Sequence, residues 1–280
     1  MTLKCPVCGH AARFERSAKE ADLYRCPNCD HCFSDPASLA IPEDEVYRPP
    51  YYGKNWFLNP NRRLFDRIGR IAVRSRPDGS LVDVGCGKGA FLQAMRERFP
   101  ALRMAGIDIT ENNPCDGIEF YRADALTIDP PRQFDVVVSL ALIEHLADVT
   151  KFVTQLKRLC APGGVIVVMT CNDRSVLYGT ARLLARMGFR RPLDQLYGRH
   201  HVNHFNKRSI RALMESSGIG VEQTLLHNIP MAAIDIAHQS SPVGRAVLTA
   251  GVWGTFVLGK LVGRTFLQTL ICRNPVSPVA

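Results

Sequence analysis

The first ten residues, Met1 to His10, contain no apolar run. A secretory leader is therefore not expected, and a cytoplasmic location is. The ten cysteines then read as reduced thiols or metal ligands rather than disulfides. No internal repeat is present, so a stacked-repeat architecture is excluded. The uncharged run Ala246 to Gly259 has 14 residues, fewer than the roughly 20 of a spanning helix. It fits a buried helix or one lying in a membrane interface. Acids are scarce between 174 and 211, where nine Lys or Arg face only Asp194. A net charge of +9 points to an anionic partner: nucleic acid, a phosphorylated metabolite or a membrane surface.

What is present is enough for a full core. At 280 residues the chain can build one large domain with a small appendage. Its centre is Leu81-Val-Asp-Val-Gly-Cys-Gly-Lys-Gly-Ala90, a β-branched run ending in three alternating glycines. Such a run makes a strand, a tight turn and a helix start, with backbone close to a ligand. Gly85-x-Gly87-x-x-Ala90 also satisfies a dinucleotide fingerprint. Asp83 and Gly89 go beyond it: a carboxylate on the strand needs a polar ligand or donor.

The first 33 residues form a separate small module. Cys5-Pro-Val-Cys8 and Cys26-Pro-Asn-Cys29 are two C-x-x-C pairs with seventeen residues between them, a spacing suited to one tetrahedral zinc ion. His10, His31 and Cys32 lie near as substitutes, although four cysteines suffice. The segment resembles a zinc ribbon, its fold supplied by the metal, either recognising substrate or capping the main domain. Residues 34–60 are a proline-rich linker with Tyr47, Tyr51, Tyr52, Trp56 and Phe57, a candidate lid. A helical stripe follows at Leu64, Phe65, Ile68, Ile71 and Ala72.

From 81 to 171 strands alternate with helices, the pattern of a parallel sheet wound on both faces. The strands are expected at 81–85, 103–108, 118–122, 134–139 and 165–170. Asp108 ends the second strand, where a carboxylate can accept ribose hydroxyls. Asp124 follows the third strand. Ser139-Leu-Ala-Leu-Ile-Glu144-His145-Leu follows the fourth, and Pro162-Gly-Gly164 opens the fifth. Two further strands are expected at 220–226 and 266–273. Inserted segments at 174–200 and 231–263 complete a main domain of 61–273.

Taken in order, Asp83-x-Gly85-x-Gly87-x-Gly89, Asp108, Ala123-Asp124, Phe134-Asp-x-Val, Glu144-His145-Leu and Leu159-x-x-Pro-Gly-Gly resemble class I S-adenosylmethionine-dependent methyltransferases. The resemblance covers 81–171 closely and extends weakly through His201-x-x-His204-Phe205 to about 273. It implies a Rossmann-like, seven-stranded, mostly parallel sheet with helices on both faces, the last strand antiparallel at the edge. It implies S-adenosylmethionine bound by Asp83, Gly85, Cys86, Gly87, Gly89, Asp108, Ile109, Asp124, Ala125, Ser139 and Leu140. Methyl transfer needs alignment and exclusion of water rather than a nucleophilic side chain. For a hydroxyl acceptor, His145, His201 or His204 is a candidate base.

Quinone-biosynthesis O-methyltransferases have a similar Glu-His pair with a second acid three residues earlier. Here that position is Ala141, which argues against a divalent metal. An Asn/Asp-Pro-Pro-aromatic motif after the fourth strand, typical of adenine and glutamine methylation, is absent. The favoured acceptor is small or glycan-like and anionic, phosphorylated or lipid-linked. RNA is the second reading, and a non-catalytic cofactor-binding protein the third. Segment 244–264, flanked by Arg245, Lys260 and Arg264, is a candidate peripheral membrane contact.

Overall fold

The computed structural model describes residues 2–35, 55–110, 117–129, 132–198, 200–234 and 241–276. The lid candidates Tyr47, Tyr51 and Tyr52 lie outside them.

Strands β1 (Thr2–Lys4), β2 (Ala11–Ser17), β3 (Asp22–Arg25) and β4 (Cys32–Ser34) form an antiparallel meander. Each C-x-x-C pair sits on a turn at one end of it, between β1 and β2 and between β3 and β4. Past the linker come α1 (Asn55–Leu58) and α2 (Arg62–Ser75). The Asn61 side chain caps α2 by accepting from the Leu64 N–H, and Leu64, Phe65, Ile68 and Ala72 bury one face. The main sheet then starts with β5 (Ser80–Val84), buried throughout. It continues through α3 (Ala90–Arg98), β6 (Arg103–Asp108), β7 (Glu119–Arg122), β8 (Phe134–Leu140), α4 (Val149–Leu159) and β9 (Cys160–Cys171). After β9 come α5 (Val176–Arg186), α6 (Arg191–Leu196), β10 (Asn203–His204) and α7 (Lys207–Ser216). The chain closes with β11 (Gly220–His227), α8 (Pro242–Leu261) and β12 (Leu267–Arg273).

The sheet order is β11-β12-β9-β8-β5-β6-β7. Strands β7, β6, β5, β8 and β9 pair in parallel, and β12 runs antiparallel to both its neighbours. This is the expected α/β sheet with one correction: the last strand is not at the edge. It inserts between β9 and β11, leaving β11 outermost. Strand β9 also begins earlier than expected. Cys160 pairs with Phe134 before a register shift, and Val165 pairs with Val136 after it, so the Pro-Gly-Gly turn is absorbed as an irregularity.

Alternate residues of the central strands feed the two faces. Leu81, Val136 and Val138 pack with α2 and α3, whereas Val82, Val84 and Val137 pack with α4 and α7. The second core runs on without a break into the N-terminal module through Val7, Tyr24 and Phe33. Strand β10 pairs antiparallel with β4, so a strand from residues 203–204 completes the module's sheet. A buried ionic cluster reinforces the join. Arg25 reaches Glu15 at 2.8 Å and Asp173 at 2.8 Å, and Arg182 reaches Asp173 at 3.1 Å. The Tyr197 hydroxyl donates to the same Asp173 carboxylate. Local sequence reading separates this module at residue 33; its strand pairing and core are shared with residues far along the chain.

Candidate active site

The glycine turn after β5 is closed by the tip of β6. The Gly85 and Cys86 N–H groups donate to the Ile107 carbonyl at 2.8 and 3.2 Å. The Gly87 N–H donates to Asp108 Oδ2 at 2.8 Å, and Thr110 N–H donates to Oδ1 at 3.0 Å. Gly85 has φ of +78°, and a Cβ there would come within 2.7 Å of Leu142. Asp108 therefore holds the turn and also lines a cavity at the carboxyl ends of the strands.

That cavity has a volume of about 330 Å³, within the range of small-ligand sites. Asp83, Gly85, Cys86, Gly87, Asp108, Ile109, Asp124, Ala125 and Leu140 line it. Two expected residues do not. Gly89 caps α3 at φ of +70°, its N–H bonded to the Cys86 carbonyl. Ser139 is buried and donates to the Val84 carbonyl at 3.0 Å. Both hold the turn and the strand rather than the cavity wall.

Asp83 is the strongest sign of a polar ligand. It is buried, and its Oδ1 has no hydrogen-bond partner among the described residues. Burial, then the Asp108 carboxylate, push its carboxyl up to about 8. A cationic or donor group entering the cavity offsets that burial and favours the ionised carboxylate. The site thus fits a cofactor carrying an ammonium and a sulfonium.

A second cavity of about 990 Å³ adjoins the first. Trp56, Ala141, His145, Met169, Ile229 and Ala233 line both, so the two spaces meet there. Ala141 sits at this junction with φ of +58°, a strained conformation for a residue with a Cβ. The larger cavity is walled mainly by apolar side chains, among them Leu177, Leu184, Leu248, Val252 and Phe256, with Arg190 and Arg191 among its polar groups.

The three candidate histidines separate. His145 lines both cavities, and its Nδ1 lies 2.6 Å from the His200 carbonyl oxygen. A carbonyl only accepts, so Nδ1 carries the hydrogen and Nε2 is the basic nitrogen. His201 lines the larger cavity, with its ring 4.8 Å from that of His145. His204 lines neither cavity. It is a buried β10 residue paired with Cys32, its ring 4.6 Å from Tyr197, and burial lowers it to about 4. A base must reach the proton it removes, so the candidacy of His204 is corrected to a structural role.

Glu144 is buried beside His145. Burial raises it to about 7, and Thr170 donates to its Oε2 at 2.9 Å. Ligand atoms of Glu144, His145 and His201 lie within 4.8 Å of one another. His201 thereby approaches the pair in the absence of the second acid, a convergence that sequence spacing does not show. Sequence reasoning also missed Met169, Leu248, Val252 and Phe256 as cavity residues. Their apolar periodicity is that of any core helix or strand. The carbonyl of His200 that orients His145 leaves no trace in the residue types.

In the N-terminal module the Sγ atoms of Cys5, Cys8, Cys26 and Cys29 cluster within 4.8 Å of one another. Cys5 and Cys29 are 3.5 Å apart, Cys8 and Cys26 3.5 Å, and Cys8 and Cys29 3.4 Å. A tetrahedron of thiolates at about 2.3 Å from zinc has similar edges. The donor set fits the ion.

A family model described as a methyltransferase domain matches residues 57–224, more than half of the chain. The chain belongs to that family. It is an S-adenosylmethionine-dependent methyltransferase. It is 28% identical over 229 residues to a "probable S-adenosylmethionine-dependent methyltransferase" of Mycolicibacterium smegmatis, covering 77% of this chain and 79% of the relative. It is 29% identical to the mitochondrial ubiquinone biosynthesis O-methyltransferase of Dictyostelium discoideum, over 46% of this chain and 45% of that protein. The chain thus spans under half of that relative. Among solved structures, coclaurine N-methyltransferase bound to N-methylheliamine and S-adenosylhomocysteine matches with a TM-score of 0.51 at 10% identity. That match covers 75% of this chain and 72% of the other, a likeness of fold alone.

Proposed function

We propose that this enzyme methylates a hydroxyl of a small or glycan-like, anionic acceptor held in the larger cavity. The observation that carries the reading is the meeting of the two cavities at His145. S-adenosylmethionine, when bound, supplies a methyl group on a sulfonium whose charge is lost on transfer. The smaller cavity, with Asp83, Asp108 and Asp124 on its walls, is where this cofactor is held. His145 Nε2 takes the acceptor proton as its oxygen gains the methyl, while the Nδ1–H bond to His200 fixes the ring. Apolar walls keep water from competing. Arg190 and Arg191 give the cavity its affinity for a negative group. The relative in ubiquinone biosynthesis, an O-methyltransferase by name, supports oxygen as the methylated atom.

The four thiolates hold one zinc ion, which organises a module too small to form a core by itself. The test of the main reading is a transfer assay with labelled S-adenosylmethionine over a panel of phosphorylated, glycosidic and quinol-like hydroxyl compounds. Labelled product from at least one hydroxyl compound supports the reading. Labelling of RNA alone, with steep loss on added salt, overturns it.

A further inference from the structure

Helix α8 is apolar on both sides. Leu248, Val252 and Phe256 recur every four residues and line the larger cavity. On the opposite side Val243, Val247, Leu258 and Leu261 recur at helical spacing and are exposed, Leu261 at 78% and Val243 at 72%. Only Phe256 and Gly259 of its twenty residues are buried. Helix α5, which also contributes to the cavity wall through Leu177 and Leu184, exposes Leu183, and its C-cap residue Met187 is exposed one turn on. Beyond its end Phe189 both lines the cavity and is 64% exposed, so it stands at the mouth.

Cations predominate on these two helices and at their ends. Arg186, Arg190, Arg191, Arg245, Lys260 and Arg264 are exposed, and neither α5 nor α8 contains an acid. A helix apolar on all sides is covered on all sides in its working environment. None of the described helices is long and apolar enough to cross a membrane. Exposed aliphatic side chains and Trp253 flanked by cations match the pattern of a helix lying in a lipid interface.

We propose that the outer faces of α5 and α8 dock on the surface of an anionic phospholipid bilayer. Docking places the cavity mouth at the lipid boundary, from which an amphiphilic acceptor would enter; only this last step rests on the proposed function. A vesicle experiment without any acceptor keeps the two separable. The purified chain is sedimented with vesicles of phosphatidylcholine alone and of phosphatidylcholine with phosphatidylglycerol, at low and high salt. The wild type should pellet with the anionic vesicles, less at high salt, and Trp253 emission should shift to the blue. The double variant Val247→Glu with Leu261→Glu should lose pelleting while still binding S-adenosylhomocysteine by calorimetry, since neither residue lines a cavity. A wild type that stays in the supernatant overturns the proposal, as does a variant that pellets undiminished. A wild-type dimer that this variant dissociates overturns it too, by assigning the face to a second copy.

Discussion

The Nδ1 of His145 lies 2.6 Å from the carbonyl oxygen of His200. That one contact fixes both the tautomer and the plane of the ring at the junction of the cavities. Replacing His145 by Ala should lower kcat by about 10²–10⁴ and leave S-adenosylhomocysteine affinity within a few-fold of wild type. A loss of cofactor binding equal to the loss of rate would refute the base assignment. So would activity that depends on added divalent cation, because Glu144, His145 and His201 would then serve as ligands.

Gly87 donates to Asp108 from a backbone with φ of +51°. Valine disfavours that conformation strongly, and relaxing it swings the N–H away from the carboxylate. Gly87→Val should abolish cofactor binding in calorimetry while lowering stability by only about 1–2 kcal/mol. Retained affinity would show that the turn does not shape the site.

The paired cysteines lead to a measurement of composition. Elemental analysis should find about one zinc per chain. Cys26→Ser should release it and open the N-terminal strands to proteolysis, because binding free energy is folding free energy in such a module. A Cys26→Ser chain with full metal content would rule out the four-thiolate site.

How much of this was visible in the sequence varies by element. The order of strands and helices from 81 to 171 was legible because alternating apolar runs and glycine turns are local signals. So were Asp83, Asp108 and the four cysteines, which stand at fixed short spacings. The placement of β12 inside the sheet was not, since an edge strand and an inner antiparallel strand have the same periodicity. Neither was the seam between the N-terminal module and the main domain. It is made by β10, two residues long, and by Asp173, an ordinary acid until Arg25 arrives 148 residues away in sequence. The fates of His201 and His204 diverge for the same reason. They are three residues apart, yet one lines the cavity and the other is buried against Tyr197.

That seam is open to a stability test. Burial pushes the Asp173 carboxyl up, but the guanidiniums of Arg25 and Arg182 and the Tyr197 hydroxyl outweigh it and hold it below its ordinary value. Removing one partner of a buried pair strands a charge, at a cost of about 3–5 kcal/mol. Asp173 keeps Arg182 and Tyr197 as partners, so Arg25→Met should lower the unfolding free energy by less than that at neutral pH, read by denaturant titration. The sign of the pH dependence follows from linkage. In the wild type the depressed carboxyl contributes stability that is complete above its unfolded value of 3.8 and is lost as pH falls further. In the variant burial acts with less opposition, the carboxyl rises, and its protonated form relieves the poorly compensated charge. The gap between wild type and Arg25→Met should therefore be widest at neutral pH and narrow toward pH 4. Arg25→Met combined with Asp173→Asn should recover nothing, because Arg182 then loses its carboxylate partner. A gap that widens on acidification would show that Arg25 stabilises the seam by packing rather than by charge.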